Sequence, residues 1–239
     1  MNKSQTSKKE EGPMETIYFV GGSKGGVGKS IVTMALLDYL KSSEANPLLI
    51  ESDTSNPDVE KCYKDEVPHR RIGLDDGDGW VDLINEADSF KGGPIVVNTA
   101  ARNNTGVGAY GATLRGALGD LKRKFVTLWV INRQRDSLEL LKQYQETFPT
   151  FTVHVIRNTY FGPESKFELY NNSAIRKQIE EAGGLSLNFP DLADRVSDDL
   201  YSKRLSIAKA GLELPIGNRA ELNRWRSEAA KVFAAVVKA

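Results

Sequence analysis

The run Gly21-Gly22-Ser23-Lys24-Gly25-Gly26-Val27-Gly28-Lys29-Ser30 constrains this chain more than any other segment. Just before it, Ile17-Tyr18-Phe19-Val20 is an apolar, aromatic and β-branched stretch that predicts a buried strand. Just after it, Ile31, Met34, Ala35, Leu37 and Leu40 recur at helical spacing, which predicts a helix over residues 30–42. Phosphate binding demands a glycine-rich turn in this position. Glycines let backbone N–H groups turn inward around oxygens, and the helix N-terminus adds partial positive charge. Lys29 is placed to reach β- and γ-phosphates, and the Ser30 hydroxyl to ligate Mg²⁺. The expected nucleotide-binding segment is therefore Gly25, Gly26, Val27, Gly28, Lys29, Ser30 and Ile31.

Further strands are predicted at 47–50, 94–97, 125–131, 151–156 and 185–189, with helical patterns between most of them. These strands are continuous apolar runs, not alternating ones, as expected of a sheet buried on both faces. The expected class is α/β: a mostly parallel central sheet with helices on both faces, of the P-loop NTPase kind. Residues 1–15 read as a flexible Lys/Ser/Glu-rich tail ending near Gly12-Pro13, and 16–239 as a single domain with a helical C-terminal end. In that end, Leu222, Trp225, Ala229, Val232, Phe233 and Val236 share one helical face. This face is expected to pack on the sheet rather than on a membrane, because the polar face holds only Arg224, Arg226, Lys231 and Lys238 as cations beside Glu221 and Glu228.

Composition removes several classes. With 32 Lys+Arg against 32 Asp+Glu in 239 residues, the chain is no basic nucleic-acid coat, though a local basic patch is compatible with it. No apolar run approaches the ~20 residues of a membrane span, and no secretory signal is recognisable, so a cytoplasmic location is expected. Cys62 is the single cysteine, and with only His69 and His154 beside it a Cys/His zinc site or an iron–sulfur cluster is not expected. Asp75-Asp76-Gly77-Asp78-Gly79 fails the EF-hand spacing and reads as a turn, with Asp78 capping the following helix. His69-Arg70-Arg71 reads as a solvated basic turn.

The string Lys24-Gly25-Gly26-Val27-Gly28-Lys29-Ser30 resembles the deviant Walker A motif of the ParA/MinD family of P-loop ATPases. Ser23 stands where the general loop pattern has glycine, a position that varies in this family. The resemblance extends over roughly residues 16–190 in segment order. It implies ATP and Mg²⁺ as cofactors and slow hydrolysis. It also implies an ATP-dependent homodimer in which Lys24 crosses the interface to the partner's nucleotide, acting like an arginine finger.

Lys24, Lys29 and Asp53 are the residues the resemblance gives to catalysis. Asp53 ends the second strand in Glu51-Ser52-Asp53, matching the second acid of a family Asp-x-Asp motif; Glu51 replaces the first. Asp53 is expected to orient the attacking water and to meet the metal through water. The third strand ends in Asn98, where the family places its Walker B acid. Asn98 accepts a hydrogen bond from a magnesium-bound water but lacks the charge that strengthens it, which implies a weaker hold on Mg²⁺ or slow turnover. If that missing charge is limiting, Asn98→Asp raises turnover. Asn158, after the fifth strand, matches a family asparagine that reads the adenine edge, and Pro190 a later strand-end proline near the base. Gly106, Gly108 and Gly111 suit either a mobile switch loop or a plain surface loop. Such ATPases serve plasmid partition, conjugative transfer or protein positioning, with DNA or protein as partner. The alternative reading is a nucleotide-binding scaffold with little hydrolysis.

Overall fold

A computed structural model describes residues 15–22 and 25–239. Seven strands form one sheet: β1 (Thr16–Gly22), β2 (Leu48–Glu51), β3 (His69–Arg71), β4 (Ile95–Asn98), β5 (Lys124–Ile131), β6 (Thr152–Asn158) and β7 (Ser186–Phe189). Their order is β3-β2-β4-β1-β5-β6-β7, and every neighbouring pair is parallel. A parallel sheet needs a crossover between paired strands, and helices supply it. These are α1 (Lys29–Ser42), α2 (Asp58–Tyr63), α3 (Gly77–Ser89), α4 (Asn103–Leu121), α5 (Arg135–Thr147), α6 (Glu168–Asn171) and α7 (Ala174–Glu181). Three more, α8 (Asp194–Ser202), α9 (Ile207–Glu213) and α10 (Ile216–Lys238), follow the last strand.

Successive residues of a strand point to opposite faces, and β1 divides its side chains accordingly. Tyr18 and Val20 join a core with α1, α2, α8, α9 and α10, while Ile17 and Phe19 join a second core with α3, α4, α5 and α7. With both faces buried, the strand reads as a continuous apolar run. The α10 face predicted from spacing is the buried one, from Leu222 to Val236, and Arg226 on the same helix forks onto Asp38 of α1. No helix among the described residues is long and apolar enough to cross a membrane, and no group of three metal-ligating side chains occurs there.

Three expectations change. His69-Arg70-Arg71 is not a solvated turn but the edge strand β3, in register with Leu49, Ile50 and Glu51. The backbone makes the strand while Arg70 and Arg71 stay exposed, so its sequence carries no apolar signal. Gly106, Gly108 and Gly111 are in neither a switch loop nor a surface loop; they lie inside α4. A Cβ on Gly106 would sit 1.9 Å from the Leu74 carbonyl oxygen, and one on Gly111 2.5 Å from the Phe148 ring, so both glycines permit close packing. Asp76, not Asp78, caps α3, its carboxylate accepting from the Gly79 N–H at 3.0 Å. The expected tail over 1–15 lies outside the described residues except for Glu15. Glu15 directly precedes β1, its carbonyl accepting from Lys124 N–H at 3.2 Å and its carboxylate meeting Arg123 at 3.0 Å.

Candidate functional site

All seven strands point the same way, so their carboxyl ends share one rim, where ligands bind in open α/β sheets. The glycine loop rises from the middle of that rim. Gly21 and Gly22 are still paired with Trp129 and Val130 of β5. Gly26 (φ 78°) and Gly28 (φ 102°) take left-handed conformations that a side chain would strain. They turn the chain into α1, whose first residue is Lys29. Ser23 and Lys24 lie outside the described residues, so the structure does not place the signature lysine.

Gly28 is doubly constrained. A Cβ there would meet the Asn158 side-chain nitrogen at 2.3 Å. Asn158 at the end of β6 donates that nitrogen to the Val27 carbonyl at 3.0 Å and accepts from the Tyr160 N–H at 3.1 Å. It thus braces the loop from the side. A cavity of about 270 Å³ opens beside it, lined by Gly28, Ser30, Ile31, Asn158, Pro190 and Asp191 among others. Pro190 and Asn158 therefore share the cavity with the glycine loop.

On the other side of the loop stand the acids. Lys29 is 7% exposed, and burial lowers its amine to about 8, opposed by the charge of Asp53. Glu51 is fully buried and its carboxyl is pushed up to about 7 by that burial. Hydrogen bonds from Asn98 and from the backbone N–H groups of Asp53 and Glu60 oppose the shift. Register explains the first of these. Glu51 and Asn98 are partners across β2 and β4, and the Asn98 amide donates to Glu51 Oε1 at 2.8 Å. The Asn98 carbonyl accepts from the Thr33 hydroxyl at 3.0 Å, and Thr33 also donates to Lys29 O at 2.9 Å. Asn98 is thereby fixed between a buried carboxyl and the first turn of α1.

Asp53 sits one loop residue beyond Ser52. Its Oδ1 accepts from Asn56 N–H at 3.1 Å and lies 3.6 Å from Arg102. Arg102 and Asn103 open α4, and sequence reasoning passed over both, since no motif marks them. Arg102 donates to Asp75 at 2.7 Å, Ser55 at 3.0 Å and Thr54 at 3.0 Å. Asn103, 1% exposed, accepts from the Ser52 hydroxyl and from Ala100 N–H, both at 2.7 Å, and donates to Asp75 at 3.0 Å. The loops after β2, β3 and β4 are tied together by these two side chains.

The residues present fit a magnesium-bound nucleoside triphosphate. Gly26 has open space where a side chain would stand, and Gly28, Lys29 and Ser30 form the N-terminus of α1, where anions bind.

No protein-family model matches the chain. It is 62% identical over 223 residues to Protein MobD of Acidithiobacillus ferrooxidans, an alignment spanning 93% of this chain and 98% of that protein. The chain belongs to the MobD family. A second relative of this MobD-family chain is Protein TraL of Escherichia coli, 26% identical over 160 residues, 63% of this chain and 66% of TraL. Among solved structures, the MinC:MinD cell division protein complex of Aquifex aeolicus contains a chain that superposes with a TM-score of 0.53 at 13% identity. That superposition covers 92% of the MobD-family chain and 96% of the other. Likeness at that identity speaks to fold alone: a seven-stranded parallel α/β sheet of the MinD P-loop kind.

Proposed function

We propose that this protein is a nucleotide-switched ATPase. ATP-Mg²⁺ binding brings two copies together through Lys24, and slow hydrolysis separates them. The observation that carries the reading is the left-handed glycine loop delivering Lys29 and Ser30 to the N-terminus of α1 at the carboxyl rim of a parallel sheet. Backbone N–H groups of residues 25–31 and Lys29 would hold the phosphates, Ser30 would ligate the metal, and Asn158 would border the base. Mg²⁺ would supply charge neutralisation for the phosphoryl oxygens. Asp53 would orient the attacking water and meet a metal-bound water, as would the remaining lone pair of the Asn98 carbonyl. Kinship with MobD and TraL, together with the MinD-like fold, supports a place in plasmid partition, conjugative transfer or protein positioning in the cytoplasm.

The test is solution mass by light scattering with ADP and with a nonhydrolysable ATP analogue, paired with ATP turnover with and without nonspecific double-stranded DNA. A doubled mass only with the analogue supports the switch; an unchanged mass at saturating analogue refutes it. DNA stimulation that fades with salt places the partner on DNA, and absence of stimulation points to a protein partner or to the nucleotide-holding scaffold below. One observation favours a second reading, a nucleotide-holding scaffold: both ends of the Asn98 amide are already engaged by Glu51 and Thr33. Turnover absent despite tight ATP binding would establish that reading instead.

A further inference from the structure

Arg102 is the one cation among the described residues whose guanidinium reaches the loops after both β2 and β3 from the start of α4. Its planar fork suits this: five N–H donors at fixed angles bridge several acceptors at once, which a lysine ammonium does not reproduce. Three of those donors are assigned: Nε to Asp75, Nη1 to the Ser55 hydroxyl and Nη2 to the Thr54 hydroxyl. Nη1 also stands 3.6 Å from Asp53 Oδ1. Ser55 and Thr54 directly follow Asp53 in the chain, so Arg102 holds Asp53 by its carboxylate and by its two neighbours. Asn103 anchors the same device from beneath, holding Ser52 on one side and Asp75 on the other.

We propose that Arg102 is a positioning residue for Asp53. This rests on the ATPase reading above. Arg102 touches neither the glycine loop nor Lys29 by any hydrogen bond or ion pair found among the described residues, so phosphate affinity does not depend on it directly. It acts on the direction of one carboxylate. Asp53 Oδ1 is occupied by Asn56 N–H and faces Arg102, while Oδ2 carries no hydrogen bond among the described residues. An acid that orients water needs one oxygen fixed and the other available, and misplacement by about 1 Å costs about a hundredfold in rate. Each contact of Arg102 is half exposed and individually weak; their convergence on one loop makes the placement definite.

The experiment compares the full chain with Arg102→Gln, Arg102→Lys, Asp53→Asn and Arg102→Gln/Asp53→Asn. ATP affinity, kcat and backbone hydrogen exchange are measured, with thermal melting as the folding control. Arg102→Gln is expected to bind ATP within about twofold of the parent. It should lower kcat at least tenfold and exchange the amides of residues 53–56 and 73–76 at least tenfold faster. Arg102→Lys is expected to recover little of the lost rate, because its single ammonium cannot span the same acceptors. In the Asp53→Asn background, removing Arg102 is expected to change kcat no further, since the group it positions has already gone. An unchanged kcat in Arg102→Gln, or rate losses that multiply in the double variant, would overturn the proposal. A parent that neither binds nor hydrolyses ATP would refute the ATPase reading and the proposal with it. The exchange measurement would then still show whether Arg102 clamps the loops.

Discussion

In the sequence, Asn98→Asp looks like a repair, restoring an acid where related ATPases carry one. The geometry makes it a lesion. Asn98 donates to Glu51 Oε1 at 2.8 Å, and the two side chains are 1% and 0% exposed. An aspartate in that place replaces the donor by a second acceptor. Two ionised carboxylates at that separation repel by about 6 kcal/mol at an effective dielectric of about 20, so the pair retains a proton instead. Keeping protonated at pH 8 a carboxyl whose ordinary pKa is about 4 costs about 1.4 kcal/mol per pH step, or about 5 kcal/mol. Glu51 already tolerates part of this burial, so the expected loss of folding stability at pH 8 is about 4 kcal/mol. The sign follows from the raised pKa: a proton held in the folded state and lost in the unfolded one favours folding as pH falls. The parent's Glu51, at about 7, takes up its own proton over the same range and offsets about half of that gain, so the deficit should shrink by about 1.4 kcal/mol between pH 8 and pH 6. Urea unfolding followed by tryptophan fluorescence measures it, since Trp80, Trp129 and Trp225 are all buried. The mirror variant Glu51→Gln/Asn98→Asp restores one donor facing one carboxylate and should return to within about 1 kcal/mol of the parent. An Asn98→Asp protein as stable as the parent at pH 8, or a deficit identical at both pH values, would refute this reasoning.

Three further outcomes are expected. Lys29→Ala should lower ATP affinity ten- to a hundredfold, the loss of a charge-assisted hydrogen bond of about 1.5–3 kcal/mol, read by titration calorimetry with the fold checked by circular dichroism. His154, buried in β6 and accepting the Leu185 N–H at 3.1 Å, has its imidazole lowered to about 4. Its depressed pKa leaves stability intact above about 6.5 and removes it as pH falls toward 4, so the parent should lose up to about 3 kcal/mol relative to His154→Gln across that window. Glu51 acts in the opposite direction over part of this range, so the difference between parent and variant is what urea unfolding at stepped pH should report. Within α4, Gly106→Ala should cost about 1–3 kcal/mol because its Cβ meets the Leu74 carbonyl, whereas Gly108→Ala, with open space around it, should gain about 1 kcal/mol; paired thermal melts decide.

The strands that were legible in the sequence are those buried on both faces, because apolar runs such as 17–20 and 125–131 announce themselves. β3 was not, since an edge strand of three residues is held by backbone pairing with β2 while two of its side chains remain in water. The glycines of α4 misled for a physical reason. Glycine signals a loop by default, yet at 106 and 111 it serves contact between packed segments that only the fold brings together. The glycine loop was legible because its chemistry is contiguous in the chain. On the acid side Glu51, Asp53 and Asn98 could be named as strand-end residues, but their pairing could not, because it depends on the register of β2 against β4, which sets Glu51 beside Asn98. Arg102 and Asn103 carry no motif; apart from Ala100, which Asn103 caps, their side-chain partners lie 27 to 51 residues away.

The strand order has a consequence for how the chain comes to be folded. β1, which leads into the glycine loop, is the first strand among the described residues, but its two neighbours are β4 and β5. Its edges stay unpaired until residues 95–98 and 124–131 have been synthesised. At a synthesis rate of about 5–20 residues per second, that exposes an apolar strand for several seconds. Such long-range parallel pairing is slow and leaves sticky edges during assembly. Production of this protein should therefore depend on chaperone capacity and growth temperature. Truncations ending before residue 131 should aggregate, even though they contain every residue of the glycine loop.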